Sequence, residues 1–347
     1  AQSSPAIPAL ARNGSTVYIA VQGSTDQYIH WNSSSDGGLT WSAWQQLPTD
    51  VTSTKPPSLA VINGELYLSY LGVDNNKINI LKLVNPASNA WSNQYVIPNQ
   101  YASYASLACE TVDGNQNLTV YYVANDATDH LYKTTTATPS ISSGWSTATP
   151  IAYNTSNGIQ TSSGPLAVTT YNNATYIAYP GGTSTNPSNL IYLTTSAGSS
   201  TASESTYYPV QSSFSGSTGS GLGLTNSSDG LILSYGDPKS SNILLLKKLT
   251  QKGGKWVVAN SYAKSLADLL SNDVAILSHE GADAPSLLMA GVNLPTGGLG
   301  ISTSLLSYSD MQAATLKSIT LNVYQTGLST QQVSGVSSGA LPLTLAN

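Results

Sequence analysis

The stretch PSLAVINGELYLSYLGVDNNKINILKLVNPASNAWSNQYVIP, residues 57–98, consists of short apolar or aromatic runs separated by turn residues. A first run leads to an Asn-Gly turn, a second run ends in Tyr70, and after an Asp-Asn turn come a third run and a fourth with Trp91. Short runs rich in Val, Ile, Leu and Tyr between turn residues are typical of β-strands. The stretch therefore predicts a sheet of four short strands.

The same order of parts recurs along the chain about every fifty residues. Tyr122, Tyr179 and Tyr235 end the second run of later copies as Tyr70 does here, and Val21 takes that place in the first copy. A period of roughly 40 to 50 residues with four strands is the signature of a β-propeller blade. A ring of such sheets buries the faces that one sheet alone leaves exposed.

We therefore predict an all-β fold, a single β-propeller domain over residues 1–347 with six four-stranded blades, or with seven as the alternative. The predicted repeat units are residues 8–49, 57–99, 105–153, 164–212, 220–262 and 272–325. Residues 326–347 are predicted to close the ring or to begin a seventh blade, because SSGALPLTLAN at the end is similar to the innermost strand of the fourth unit.

Large aromatic residues and one helical stretch complete the predicted pattern. Tryptophans recur in the predicted fourth strands, where we expect each to pack against the adjoining blade; they are Trp41, Trp91, Trp145 and Trp256. The segment KSLADLLSND, residues 264–273, is the one stretch that predicts a helical turn.

The composition excludes several classes of function. Only 8% of residues are charged, the net charge is -5, and Arg12 is the one arginine. Nucleic-acid phosphates are held mainly by clustered Lys and Arg, so we predict no nucleic-acid partner. No apolar run reaches 18 residues, so we predict no membrane span. Cys109 is the single cysteine and predicts no internal disulfide.

The sequence also predicts secretion. The start AQSSPAIPAL reads as the mature end that remains after removal of a signal peptide. Six Asn-x-Ser/Thr sequons are candidate glycosylation sites; they are Asn13, Asn32, Asn117, Asn154, Asn173 and Asn226. We therefore expect a secreted or cell-surface glycoprotein.

The stretch Ser34-x-Asp36-x-Gly38-x-Thr40-Trp41 has three possible interpretations, as a metal loop, part of a glycosidase active site or a folded turn. A calcium loop needs several oxygen ligands, and this stretch has one carboxylate. A folded turn suits it better, because Asp36 can accept backbone N–H groups and Gly38 permits a positive φ. His30, His130 and His279 lie far apart without the spacing of metal ligands, so we predict no metal and no cofactor.

This motif resembles the Asp-box of sialidases and related propellers, which lies between the third and fourth strands of a blade. The wider repeat is similar to secreted sialidase-like propellers and, more distantly, to fungal fucose-binding lectins. The resemblance implies that the motif is a turn remote from the active site. Sialidases bind the sugar carboxylate with three arginines on separate blades, whereas this chain has one. We therefore predict a non-catalytic protein, with glycoside hydrolysis as a weaker alternative.

A surface rich in hydroxyl, amide and aromatic groups suits neutral glycans, because sugars stack on aromatic rings and hydrogen-bond to such groups. We predict lectin-like binding of neutral glycans or glycoconjugates. The alternative is a structural or surface-coat glycoprotein that self-associates. Trp31 and Trp44 lie outside the repeated pattern, and the other candidate glycan contacts occupy or adjoin the third strands; they are Tyr28, His30, Asn79, Tyr132 and Tyr192.

Overall fold

A computed structural model provides the structure of the protein. It describes residues 7–23, 27–112, 114–139, 143–151, 158–196, 221–236, 243–252, 255–265, 274–280, 285–293, 300–307, 319–325 and 331–335. These residues form β-strands joined by turns, together with one 3-10 turn at Pro86–Ser88. None of the described segments forms a helix of the length and apolarity that a bilayer crossing requires.

The first sheet is an antiparallel meander, which we call unit 1. Its strands run in the order β1, β2, β3, β4, with bounds Ala9–Asn13, Thr16–Gln22, Ile29–Ser34 and Gln45–Gln46. Each strand pairs with the next along the chain. The sheet is therefore built from local connections.

The second sheet contains eight strands and joins two repeats. Its strands β5 to β12 are Ser58–Ile62, Glu65–Leu71, Lys77–Asn85, Ala90–Trp91, Tyr95–Val112, Asn115–Ala124, Leu131–Thr136 and Thr149–Pro150. The start of β9 pairs with β7, and its later part pairs with β10. Units 2 and 3 thus share one strand where the sequence predicted a break between residues 99 and 105.

Three further antiparallel sheets follow. Unit 4 contains β13 to β15, at Ala167–Tyr171, Ala174–Gly182 and Pro187–Thr195. Unit 5 contains β16 to β19, at Leu222–Ser227, Gly230–Gly236, Ile243–Lys252 and Lys255–Ser265. Unit 6 contains β20 to β24, at Val274–Glu280, Pro285–Asn293, Gly300–Ser307, Ile319–Gln325 and Gln331–Gly335.

The first strand of each unit, which we call its inner strand, contacts the inner strands of its neighbours. The contacts run in chain order through β1, β5, β9, β13, β16 and β20, and β20 in turn contacts β1. Hydrogen bonds join some of these pairs. The amide of Leu107 on β9 donates to Ser58 Oγ on β5 at 2.9 Å, and the amide of Ser278 on β20 donates to Thr225 Oγ1 on β16 at 2.9 Å.

The hydrophobic core consists of separate clusters between neighbouring units. Units 1 and 2, 2 and 3, 3 and 4, and 4 and 5 each enclose one cluster. Another cluster joins Ile19 and Val21 of unit 1 to Ala290 of unit 6. Packing of sheet against sheet around a shared axis is the arrangement that a propeller predicts.

The repeated tryptophans pack between units, as the sequence predicted. Trp41, Trp91, Trp145 and Trp256 each lie in or against one of these clusters. Their predicted placement in fourth strands is correct for Trp91 and Trp256, whereas Trp41 and Trp145 lie in connecting segments. Most of the predicted helical turn, residues 266–273, lies outside the described residues. Of the predicted ring-closing segment 326–347, the described part Gln331–Gly335 forms β24 and pairs with β23 of unit 6, and the rest lies outside the described residues.

Candidate functional site

A cavity of about 120 Å³ lies where the six inner strands converge, at the starts of five of them and at residues 104–107 within β9. All six units contribute residues to its lining, which we call the axial cavity. A buried water needs roughly 10–15 Å³ of such volume, so the space holds several waters or a small ligand such as one sugar ring. Polar groups in the described lining include Lys55, Ser58, Tyr104 and Ser106.

Proline and small side chains at the starts of the inner strands explain why this space is open. Pro8, Pro57 and Pro165 stand at or just before three inner strands, where a missing N–H group costs no sheet hydrogen bond. Ala9 and Ala167 lie just beyond and line the cavity. Small residues recur near the start of each copy in the sequence, but the sequence does not show that these segments meet around one cavity.

Lys55 lies at the cavity in the segment that leads into β5. Its Nζ is 4.7 Å from the centroid of the Tyr104 ring. The buried Ser53 fixes the backbone here, because its Oγ donates to the carbonyl of Lys55 at 3.0 Å and accepts from the Lys55 amide at 3.1 Å. Burial lowers the pKa of the Lys55 ammonium, as expected for a cation moved away from water.

A second lysine and tyrosine lie close to the first pair along β9. Lys77 Nζ is 6.0 Å from the centroid of the Tyr101 ring. Tyr101 is 47% exposed, and its carbonyl accepts from the amide of Asn125 at 3.0 Å. The amide of Lys77 donates to Asn75 Oδ1 at 2.9 Å. The exposed Tyr101 ring therefore lies near amide groups, at the end of units 2 and 3 that is closer to the axial cavity.

The loop after β10 brings a carboxylate to the same end of the molecule. Asp129 is buried, and its Oδ2 accepts from the amide and hydroxyl of Ser184, each at 2.7 Å. Burial, and then the charge of Asp129, raise the pKa of Tyr104. The carboxylate is thus near the cavity but is held by unit 4.

The seven predicted glycan contacts are spread over four units, and none is among the residues that line the axial cavity. Trp31, Asn79 and Tyr192 are buried, which corrects the prediction that they face a ligand. The other four are half-buried, and their role stays a prediction; they are Tyr28, His30, Trp44 and Tyr132.

Trp31 is a packing residue between units 1 and 2. It is 3% exposed, and its Nε1 donates to Asn89 Oδ1 at 2.7 Å. Its ring meets Trp91 edge to face at 5.5 Å and Tyr18 at 6.3 Å. Both the polar atom and the ring surface of Trp31 are therefore used within the fold.

Asn79 and Tyr192 are buried for similar reasons. Asn79 donates from Nδ2 to the carbonyl of Lys77 at 2.9 Å and accepts from Gln94 at 2.6 Å. The Tyr192 ring lies 5.6 Å from that of Tyr179. Both third-strand side chains are thus packed or hydrogen-bonded inside the fold.

The sequon asparagines differ in access. Asn32 is fully buried, with Nδ2 donating to the carbonyl of Ser42 at 2.6 Å, so a glycan on Asn32 has no room in the folded protein. Asn173 is exposed in the turn between β13 and β14. The remaining described sequon asparagines are half-buried, namely Asn13, Asn117 and Asn226. Asn154 lies outside the described residues.

In the turn after β3, the Asp36 carboxylate accepts hydrogen bonds from residues of the turn itself. Asp36 Oδ1 accepts from the Ser34 hydroxyl at 2.7 Å and from the amides of Leu39 and Thr40 at 3.0 and 2.8 Å, while Oδ2 accepts from the Thr40 hydroxyl at 2.6 Å. Burial raises the pKa of Asp36, but these hydrogen bonds outweigh it and leave the pKa below its usual value. The geometry is that of a folded turn, and the Asp-box assignment stays a prediction.

A buried carboxylate between units 3 and 4 is satisfied by its neighbours. Glu110 accepts from the hydroxyls of Tyr121 and Thr119, the latter at 3.0 Å, and lies 3.6 Å from Lys133 Nζ. Burial raises the pKa of Glu110, but hydrogen bonds, led by that of Tyr121, and the Lys133 charge lower it below its usual value. The arrangement stabilises the ionised carboxylate inside the fold.

The chain matches no protein-family model and no curated protein. Among solved structures, it is similar to an arginine-to-alanine triple mutant of AofleA from Arthrobotrys oligospora, with a TM-score of 0.53 and 11% identity over 97% of this chain and 90% of that one. The similarity shows that the chain shares a β-propeller fold.

Two further similar structures have lower scores. One is a subtype N10 neuraminidase-like protein from a little yellow-shouldered bat isolate, with a TM-score of 0.48 and 10% identity over 86% and 93% of the two chains. The other is a glycoside hydrolase family 43 arabinoxylan arabinofuranohydrolase from Bacillus subtilis, with a TM-score of 0.45 and 15% identity over 87% and 78%.

The prediction that the chain is not an enzyme is contradicted by these comparisons. Most of the similar structures are glycoside hydrolases, including exo-β-1,3-galactanases from Phanerochaete chrysosporium and Clostridium thermocellum. A single arginine weakens the expectation of sialidase chemistry, but glycosidases in general need two suitably spaced carboxyl groups. The distance between two carboxyl groups on separate units depends on the fold and cannot be read from their positions in the sequence.

Proposed function

We propose that the protein is a six-bladed, carbohydrate-recognising β-propeller whose axial cavity binds a sugar ring. The observation that carries the proposal is the cavity itself, to which all six units contribute lining residues. Concave sites with an apolar wall and a few polar groups are the usual form of small-ligand sites. Six blades are supported by the sequence of contacts among the inner strands and by the core cluster between units 1 and 6.

The chemistry of the lining suits a sugar. Tyr104 supplies an aromatic side chain, and Ser106 lies two residues further along the same strand. Apolar wall surface comes from the inner strands, including Leu59 and Val168. Aromatic and apolar surface receives the C–H face of a sugar ring, while hydroxyl and ammonium groups bind its oxygens.

The proposal is tested with a glycan array followed by calorimetric titration of the best monosaccharides and disaccharides. Single sugars are expected to bind in the millimolar range, which corresponds to about -4 kcal/mol. The variant Ser106→Phe fills part of the cavity and is expected to weaken binding at least about tenfold, or 1.4 kcal/mol. The matched control Leu39→Phe changes a residue that is 50% exposed, in the turn at the opposite end of unit 1.

An activity assay on the same ligands accompanies the titration, because the fold is shared with glycoside hydrolases. Release of reducing sugar would show that the protein also cleaves its ligand. Because none of the described lining residues is an aspartate or glutamate, the carboxyl groups for cleavage would lie outside the axial cavity. Thermal unfolding of both variants distinguishes a blocked cavity from a misfolded chain. The absence of sugar binding and sugar cleavage by the folded wild type would overturn the proposal.

A further inference from the structure

Two lysines that form no ion pair with any carboxylate of the described residues lie beside the candidate site. Ion pairs in the described part of the chain join Lys82 to Glu65, Lys133 to Glu110 and Lys248 to Asp229. Lys55 and Lys77 instead lie over the rings of Tyr104 and Tyr101. Among the described residues, no carboxylate forms an ion pair with either of them.

The two pairs are close to each other because both tyrosines belong to β9. Tyr101 and Tyr104 are three residues apart, and a strand rises about 3.3 Å per residue, so their Cα atoms are about 10 Å apart. Attraction between an ammonium and an aromatic ring is worth roughly 0.5–2 kcal/mol. It therefore holds both ammonium groups near the cavity without neutralising them.

Lys55 is half-buried at the cavity. Removing an ammonium from water is costly unless an opposite charge or hydrogen-bond acceptors replace the water. Asp129 is hydrogen-bonded to Ser184, and neither Asp129 nor Asp74 forms an ion pair with Lys55 among the described residues. An anionic group on a ligand would supply the opposite charge.

Resting on the proposed function, we propose that the axial cavity and the adjoining start of β9 bind an acidic sugar chain, with anionic groups on successive sugars held by Lys55 and Lys77. The chemical class is an oligosaccharide that carries carboxylate or sulfate groups. The remaining neutral groups, including Ser58, Ser106 and Asn75, suit sugar hydroxyls. A nucleic-acid backbone is a poorer fit, because its binding depends on many clustered cations.

The test compares three oligosaccharides of equal length by calorimetry, namely an oligogalacturonate, a sulfated oligosaccharide and a neutral one. The wild type is expected to bind one of the acidic chains at least about tenfold more tightly than the neutral chain, because hydrogen bonds to charged groups are roughly twice as strong as neutral ones. Which acidic chain binds more tightly identifies the anionic group. Raising the salt concentration is expected to reduce this preference.

Three variants show which lysine causes the preference for the acidic chain. Lys55→Gln is expected to abolish most of the preference for the acidic chain, and Lys77→Gln to reduce it by about threefold, because Tyr101 lies at the exposed edge of the site. The matched control Lys82→Gln removes a lysine that is already paired with Glu65 and is expected to leave the preference unchanged. Thermal unfolding shows that each variant is folded.

The outcomes separate this inference from the proposed function. Equal affinity for acidic and neutral chains, or a preference that survives Lys55→Gln, overturns the role of the lysines and leaves sugar binding intact. Failure to bind any sugar overturns both. Loss of the acidic preference in Lys55→Gln, with neutral-sugar affinity retained, supports the inference.

Discussion

Gly38, in the turn after β3, lies directly against Leu288 on β21, so a Cβ atom at Gly38 would stand 2.8 Å from Leu288 Cδ1. The contact joins unit 1 to unit 6 and thus the first repeat to the last. Gly38 also has a φ of 103°, a backbone angle that residues with a side chain rarely adopt. A side chain at this position therefore disturbs both the turn and the junction between the two units.

Gly38→Ala is expected to lower the free energy of unfolding by about 2–4 kcal/mol, from backbone strain and overpacking together. Chemical denaturation measures this change. Gly14→Ala is the matched control, because Gly14 also has a positive φ of 60° but no atom within 4 Å of the added Cβ, and it should lose only about 1 kcal/mol. Equal losses in the two variants would contradict a close junction of units 1 and 6.

Trp31→Phe is expected to destabilise the protein by about 1–3 kcal/mol, because it removes the hydrogen bond to Asn89 from a buried cluster. Sugar affinity of the folded variant should equal that of the wild type. Denaturation and calorimetry measure the two quantities. Unchanged stability with lost sugar binding would restore Trp31 as a ligand contact.

The strand order and the packing of the repeated tryptophans could be predicted from the sequence, because both follow from a local pattern of apolar runs and turns. The site could not. Lys55 and Tyr104 are 49 positions apart and meet because neighbouring inner strands converge on one axis. Trp31 breaks the repeated pattern, which favoured a ligand role, yet its strand face is covered by Trp91 of the next unit. Departure from a repeat does not reveal which face is covered.

Glu110→Gln is expected to lower the free energy of unfolding near neutral pH by about 1–3 kcal/mol, since charged hydrogen bonds are stronger than neutral ones. Because the folded-state pKa of Glu110 lies below its usual value, this stabilisation is present above the unfolded-state pKa of about 4.3. It decreases as pH falls through the folded-state pKa.

Denaturation of the wild type and of Glu110→Gln across the range from neutral to acidic pH tests this dependence. The two curves should run parallel near neutral pH and converge in acid. A difference that stays constant down to the lowest pH at which both remain folded would exclude ionised Glu110 as the source of the stabilisation.

Glycan occupancy is expected to differ between the sequons if the protein is a secreted glycoprotein, as the sequence predicts. Asn173 lies exposed in a turn and should carry a glycan, whereas the buried Asn32 should not. Mass spectrometry of peptides from the folded, secreted protein measures both sites. Full occupancy at Asn32 would contradict its buried position in the structure.

A crystal structure of the protein with the tightest-binding sugar from the array tests sugar binding in the axial cavity most directly. We expect a sugar ring in the axial cavity, in contact with Tyr104 and with one of its oxygens within about 3 Å of Lys55 Nζ. A sugar bound only between blades or on the outer surface, with the axial cavity holding water alone, would contradict it.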